Sequence, residues 1–189
     1  PFGIGLASTI RIPGVADVLE GPHRPGHFDG VCTVVARLFN QVQPDVAAFG
    51  KKDFQQLAVI QQMVTDLAYP LELLRGDIVR EPDGLAMSSR NQYLGPQERR
   101  TATQIHRTLL GMRERSLAGV ARAVVEATAA LELAQAGFDV DYTAVRTPDL
   151  VEPAAAPDAY AAPGHRVALV AARLGRTRLI DNVEFELPG

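Results

Sequence analysis

At 189 residues the chain is long enough for one large domain or two small ones, and a 47% share of hydrophobic residues supplies a core, which excludes a disordered polypeptide. Nineteen basic against 22 acidic side chains leave a net charge of −3, so no global positive field draws the chain to nucleic acid or to an anionic membrane, and any anion it binds is held locally. The single cysteine, Cys32, excludes an internal disulfide framework, and no run approaches the roughly 18 uncharged apolar residues of a bilayer span. With no signal-peptide pattern in the first twenty residues, the composition reads as a soluble, cytoplasmic protein.

The chain opens on Pro1-Phe2-Gly3 without methionine or an element-entry signal, and reads as the continuation of a longer polypeptide. Gly3-Ile4-Gly5 starts like a dinucleotide fingerprint but lacks the third glycine and a preceding strand, and is set aside. Over residues 29–42, Val31, Val34, Val35, Leu38 and Val42 recur at three- and four-residue spacing and predict one apolar helical stripe, ended by Pro44. The short apolar run 46–49 has the form of a buried strand. Asp53 is then expected to cap a second helix, with Gln56 reaching back and Leu57, Ile60, Val64 and Leu67 forming its stripe. Helix, strand, tight glycine turn and helix in that order indicate an α/β fold.

Runs 71–74 and 78–80 read as two further strands, followed by the polar turn Glu81-Pro82-Asp83-Gly84, where a boundary would separate domains 1–84 and 85–189. Gly95-Pro96 opens a helix extending to about residue 115, with Ile105, Leu109 and Met112 on one face and a basic opposite face. An alanine-rich helix follows over 120–136 and stops at Gly137. Residues 138–145 alternate like a strand, 152–164 read as a loop, and strands 167–172 and 178–187 flank Leu174-Gly175-Arg176-Thr177 as a hairpin. His23, His106, His165 and Cys32 show no metal-ligand spacing, so no zinc site is expected.

Three clusters carry candidate chemistry. At Gly50-Lys51-Lys52-Asp53 a strand-to-helix turn offers close backbone approach, unpaired amides, a positive dipole end and two cations, all suited to phosphate, and Asp53 can accept from a ribose hydroxyl; the alternative is a solvated lysine pair. Gln55 and Gln56 read equally as ligand contacts or as capping residues. Met87-Ser88-Ser89-Arg90-Asn91 sets two hydroxyls beside a guanidinium that can engage two phosphate oxygens at once, or is merely a turn. Arg24-Pro25-Gly26-His27-Phe28 places a histidine before a helix, where it meets an anion or serves structure alone. Because ligands of α/β sheets collect at the carboxyl ends of strands, the first two clusters are expected to face one pocket.

Taken together, Leu19-Glu20-Gly21 through Arg24-Pro25-Gly26-His27-Phe28-Asp29-Gly30-Val31, then Phe49-Gly50-Lys51-Lys52-Asp53-Phe54-Gln55-Gln56-Leu57, then Asp83-Gly84-Leu85-Ala86-Met87-Ser88-Ser89-Arg90-Asn91, closely resemble the pantothenate synthetase (pantoate–β-alanine ligase) family. Arg178-Leu179-Ile180-Asp181-Asn182 resembles that family's C-terminal hairpin. The resemblance implies part of a Rossmann-like, nucleotidylyltransferase-type parallel sheet followed by a small α+β C-terminal domain. It also implies an ATP-dependent condensation of pantoate with β-alanine through a pantoyl adenylate, with Mg2+, in a homodimer.

By motif, Gly50, Lys51, Lys52 and Asp53 would bind ATP, with Lys52 on the phosphates and Asp53 near the ribose. Val79 and Met87 would line the adenine, while Met87, Ser88, Ser89 and Arg90 would form the phosphate loop. Gln56 would hydrogen-bond pantoate, Val34 and Val35 would pack its dimethyl group, and Arg24 and His27 would lie at the substrate. Lys52, Ser88, Ser89 and Arg90 would stabilise charge during adenylation. Lys51 stands where the family often has Glu. The family's N-terminal His-x-x-His-like segment, first strands and second pantoate-binding glutamine have no counterpart in these residues, so a truncated, weakly active or inactive piece is expected. The rival readings are another adenylate-forming nucleotidyltransferase of the same superfamily and a noncatalytic dimerisation scaffold.

Overall fold

A computed structural model describes residues 8–152 and 163–188. The glycine pair at 3 and 5 and most of the loop expected over 152–164 lie outside the described residues. By internal contacts the chain divides into two compact units between Gly76 and Asp77, ahead of Gly84, where the sequence places the boundary.

The first unit runs α1 (Glu20–His23), α2 (His27–Val42), β1 (Val46–Gly50), a 3-10 turn (Lys51–Asp53), α3 (Phe54–Asp66) and β2 (Glu72–Gly76). Strands β1 and β2 pair in parallel, with Val46 opposite Glu72 and Gly50 opposite Gly76, so β1, α3 and β2 form a βαβ unit. Phe28, Cys32, Ala36 and Phe39 of α2 pack with Val59, Ile60, Met63 and Val64 of α3, and Ala47, Phe49, Leu71 and Leu73 close the core from the sheet. Phe39 meets Phe49 and Tyr69 edge-on, with ring centroids 6.4 and 5.5 Å apart. Cys32 is fully buried there, and burial pushes its thiol up to about 11.

Two expectations are corrected here. Helix α2 is apolar on two sides, and the stripe that fills the core is Phe28, Cys32, Ala36 and Phe39. Val34, Leu38 and Val42 stay 52, 50 and 68% exposed, while Val31 and Val35 pack partly against the core. Periodicity alone cannot choose between two such stripes, and the bulkier aromatic one is buried. The strand over 46–49 is also not buried on both faces. Its inner residues Ala47 and Phe49 are covered while Val46 and Ala48 are exposed, because only one face of the two-strand ladder carries helices among the described residues.

The second unit runs from a turn-rich segment through a 3-10 helix (Ser89–Tyr93) into α4 (Pro96–Ala102), α5 (Gln104–Leu117), α6 (Arg122–Gln135), β3 (Asp139–Arg146), β4 (Gly164–Leu174) and β5 (Thr177–Leu187). The sheet is antiparallel in the order β3, β4, β5, and Leu174 pairs with Thr177 around the Gly175-Arg176 turn as the hairpin reading expects. Ile105, Leu109 and Met112 of α5 and Val125, Ala129 and Leu133 of α6 pack against Val145, Ala168, Val170 and Ala172 of the sheet. The α/β class, a parallel βαβ unit followed by an antiparallel α+β unit, agrees with the fold expected from the sequence.

Two elements differ from expectation. The single helix over 96–115 is broken at Thr103, whose hydroxyl donates to the Arg100 carbonyl at 2.9 Å and competes with the helical ladder. The strand over 78–80 reduces to one bridge between Arg80 and Ala86. At the start of α4 the Gly95 amide donates to Glu98 Oε2 at 2.8 Å, which fixes the Gly95-Pro96 entry.

On the sheet surface His165 lies between Glu186 (Nδ1 to Oε2, 2.9 Å) and Glu184 (Nε2 to Oε1, 3.2 Å). The bond to Glu186, reinforced by Glu184 against partial burial, holds the imidazole pKa above its ordinary value. The folded pKa exceeds the unfolded one, so this cluster's contribution is complete below about pH 6.5 and is lost as pH rises through the folded value. Unfolding of the chain and of His165→Gln, compared across pH, should differ by less than about 1 kcal/mol at acidic pH, given the exposure of the pair, and converge at alkaline pH.

Candidate functional site

In the first unit, β1 ends at Gly50, and one 3-10 turn carries Lys51, Lys52 and Asp53 into the N-terminus of α3. Amides at the start of a helix have no intrahelical acceptor, so the turn is electropositive before the lysines are counted. Gly50 has φ −76° and ψ 134°, a conformation open to any residue, and a Cβ built on it would meet nothing within 4 Å. Neither backbone strain nor packing within the described residues requires glycine at this position. The open space in front of it is what an approaching ligand would use.

Lys51 and Lys52 are half-exposed and Asp53 is exposed. The capping pair expected between Asp53 and Gln56 does not form: Asp53 makes no side-chain capping bond, because the inserted 3-10 turn changes how the chain enters α3. That leaves the Asp53 carboxylate outside the helix cap.

The neighbouring glutamines separate cleanly. Gln55 is 4% exposed; its Oε1 accepts from the Glu20 amide at 2.9 Å, and its Nε2 donates to the carbonyls of Val15 and Val18 at 2.8 and 2.7 Å. It therefore clamps the 15–20 segment to α3. Gln56 is half-buried and takes no part in that clamp. Sequence reasoning gave the two residues equal standing, and nothing local in the Gln-Gln pair distinguishes them.

Arg24 follows α1 and lies with its Nη1 4.0 Å from Glu20 Oε2. With Arg11, Asp17, Gly21, Phe28 and Asp29 it lines a cleft of about 390 Å³ within the first unit. A Cβ at Gly21 would run into the Ala16 carbonyl oxygen, so glycine is required there for close packing. His27 opens α2 and leans on Phe28, ring centroids 5.1 Å apart. Val34 is exposed and Val35 half-buried on the same helix.

Val79, Met87, Ser88, Ser89 and Arg90 belong to the second unit. Val79 and Met87 are 65 and 50% exposed, and the Met87 amide donates to the Val79 carbonyl at 2.9 Å. Ser88 caps the 3-10 helix by accepting from the Arg90 amide at 3.2 Å, while Ser89 and Arg90 are exposed. Asn91 Nδ2 donates to the Ala86 carbonyl at 3.1 Å. The turn reading of this segment is thus correct for Ser88 and Asn91, and the exposed residues between them are donors suited to an anion.

Sequence reasoning also missed the Arg80–Asp181 pair. No local signal marked it: Asp181 is one of three carboxylates on a β5 that also carries Thr177, Arg178 and Asn182, and only its burial, at 5% exposed, shows that it needs a partner. Burial, then the Arg80 guanidinium, hold the nearby His106 imidazole below its ordinary pKa, with Asp181 opposing and Arg113 adding to the depression.

A family model described as pantoate-beta-alanine ligase matches residues 4–184. A pantothenate synthetase of Xanthomonas oryzae pv. oryzae (strain MAFF 311018) is 66% identical over 185 residues, which cover 98% of this chain and 64% of that protein. A crystal structure of pantothenate synthetase from Thermus thermophilus superposes with a TM-score of 0.86 at 41% identity, covering 96% of this chain and 65% of that one. A pantoate-beta-alanine ligase from Francisella tularensis, complexed with beta-gamma ATP and beta-alanine, superposes with a TM-score of 0.70 at 26% identity, covering 93% of this chain and 57% of that one. The chain thus spans between 57 and 65% of the length of these relatives.

Proposed function

The chain belongs to the pantoate-beta-alanine ligase family, and on that premise we propose that it takes part in the ATP-dependent condensation of pantoate with β-alanine to pantothenate, releasing AMP and pyrophosphate. The observation that carries the reading to residue level is the open cradle at Gly50, at the carboxyl end of a parallel strand and directly ahead of Lys51, Lys52 and a helix N-terminus.

Lys52 and the turn amides take phosphate oxygens of ATP, and Asp53, uncommitted as a helix cap, accepts from the ribose. Val79 and Met87, exposed and apolar, cover the adenine; Ser88, Ser89 and Arg90 hold phosphate oxygens. Gln56 hydrogen-bonds pantoate, Val34 and Val35 pack its two methyl groups, and Arg24 and His27 stand on the substrate side of α2. The pantoate carboxylate attacks the α-phosphorus, the bond to the leaving pyrophosphate breaks, and the acyl adenylate forms. The β-alanine amine then attacks the acyl carbon and AMP departs. No side-chain nucleophile is needed, because the mixed anhydride is the activated species. The cations and hydroxyls act where negative charge accumulates, in the first step.

Mg2+ is read as entering with ATP. Among the described residues no group of three or more His, Cys, Asp or Glu side chains is arranged to hold a metal ion, and the donors named here suit phosphate. Homodimerisation and a cytoplasmic location complete the proposal by the same family likeness.

The test is AMP release that requires both pantoate and β-alanine, together with a calorimetric titration of the chain with ATP. Release without pantoate, or no nucleotide binding at all, overturns the reading. Gly50→Ala sharpens it. Alanine suits the backbone and meets no atom, so the melting temperature should hold or rise slightly, whereas a methyl group in the cradle should weaken ATP binding by about tenfold, the equivalent of about 1.4 kcal/mol.

A further inference from the structure

The exposed Ser89 and Arg90 sit on a small pedestal within the second unit. Arg80 bridges Ala86 in antiparallel fashion, the Glu81 amide donates to the Leu85 carbonyl at 2.8 Å and the Met87 amide to the Val79 carbonyl at 2.9 Å. Residues 79–87 are therefore a miniature hairpin whose return strand leads straight into Ser88. Leu85 anchors it in the core of the second unit.

Two further fastenings and one close approach fix this hairpin against elements remote in sequence. Arg80 donates from Nη1 to Asp181 Oδ2 at 2.6 Å and to the Gly84 carbonyl at 3.1 Å. From Nη2 it donates to Asp181 Oδ1 at 3.0 Å and to the Asn182 carbonyl at 3.2 Å. Asp181 is 5% exposed and also accepts from the Asn182 amide at 2.8 Å. At the tip, Gly84 has φ +94°, and a Cβ there would come within 2.6 Å of His106 Nδ1 on α5. Arg99 of α4 grips both oxygens of Asp83, at 2.7 and 3.1 Å. The base of the hairpin is thus tied to β5 and its tip to α4 and α5, while the residues just beyond it project into solvent.

A buried ion pair is poor evidence for stability, because desolvation offsets much of the attraction. Its geometry is better suited to fixing one conformation: a planar guanidinium that bridges a carboxylate and two carbonyls cannot slide without losing several bonds together. We propose that Arg80 and Asp181 are positioning residues for nucleotide binding, holding the hairpin so that Ser88, Ser89 and Arg90 present their donors in one preset geometry. The inference rests on the reading of those three residues as ATP contacts. Neither Arg80 nor Asp181 touches the nucleotide; each acts through the hairpin.

The experiment compares Asp181→Asn and Arg80→Lys with the unsubstituted chain and with Arg90→Ala. It measures ATP affinity by calorimetry, KM for ATP and for pantoate from AMP release, and the melting temperature. Asp181→Asn keeps shape but loses the charge; Arg80→Lys keeps the charge but loses the planar fork, and provides the second reading if the asparagine variant does not fold. Each is expected to weaken ATP binding by about 10- to 100-fold, equivalent to about 1.4–2.7 kcal/mol, while KM for pantoate is unchanged. A fall in melting temperature with ATP affinity intact in a folded variant assigns the pair a structural role only and overturns the inference. If Arg90→Ala leaves ATP binding intact, the phosphate-contact reading itself fails, and the inference falls with it; a loss in Arg90→Ala alone removes the positioning role and leaves that reading standing.

Discussion

Lys52→Ala is expected to lower the rate of the adenylation step by about 10²- to 10³-fold, equivalent to about 2.7–4 kcal/mol of transition-state stabilisation, the scale for removing one preorganised donor to a developing negative charge. The substitution lies at the half-exposed 3-10 turn ahead of α3, outside the buried cluster, so the fold should be retained. Pyrophosphate exchange dependent on pantoate isolates this first step from amide formation. Arg90→Ala, on an exposed residue of the second unit, should act in the same direction. A double-mutant cycle then gives the coupling: losses that add fully indicate independent action, whereas a coupling of about 0.5–3 kcal/mol means both groups act on one nucleotide. Intact exchange in Lys52→Ala removes the proposed mechanism.

The second large effect contrasts two adjacent residues. Gln55→Leu removes one acceptor and one donor that together satisfy the Glu20 amide and the Val15 and Val18 carbonyls, around a side chain only 4% exposed. Leaving buried polar groups unpaired costs about 1–3 kcal/mol each, so the first unit should lose about 3 kcal/mol or more in urea unfolding. Gln56→Leu should leave the urea midpoint nearly unchanged and raise KM for pantoate instead. An unmoved midpoint in Gln55→Leu removes the clamp, and an unchanged KM for pantoate in Gln56→Leu removes the substrate assignment.

These contrasts show what the letters could and could not supply. The helix–strand–helix order over 29–66 was readable because a helical period, a short apolar run, a glycine turn and a second helical period follow one another, and the C-terminal hairpin because two strand runs flank a four-residue turn signal. Which stripe of α2 faces inward was not readable, since Val34, Leu38 and Val42 recur at helical spacing just as Phe28, Cys32, Ala36 and Phe39 do. The Asp53 cap failed for a related reason: a side chain that can cap forms the bond only when the backbone enters the helix in the right conformation, and the 3-10 turn alters that entry.

For the candidate site, the residue types were legible and their partners were not. Lysines, serines and arginine beside turns are compatible with anion chemistry by type, but equally with a solvated lysine pair and a plain turn, and residue type alone left both readings open. The Arg80–Asp181 pair spans 101 residues, and only the packing of β5 brings its members together. Gln55 likewise acquires its role from carbonyls 37 and 40 positions earlier.

The single thiol offers a practical handle. Cys32 is fully enclosed by the core of the first unit, and its pKa is pushed up to about 11, so both access and thiolate formation are suppressed while that unit stays closed. Alkylation by a maleimide or a disulfide reagent therefore becomes a clock for opening of that half of the molecule, with no competing sulfhydryl in the sequence to blur the count. Labelling kinetics in native buffer would report the local opening equilibrium of residues 8–76 separately from that of the remainder.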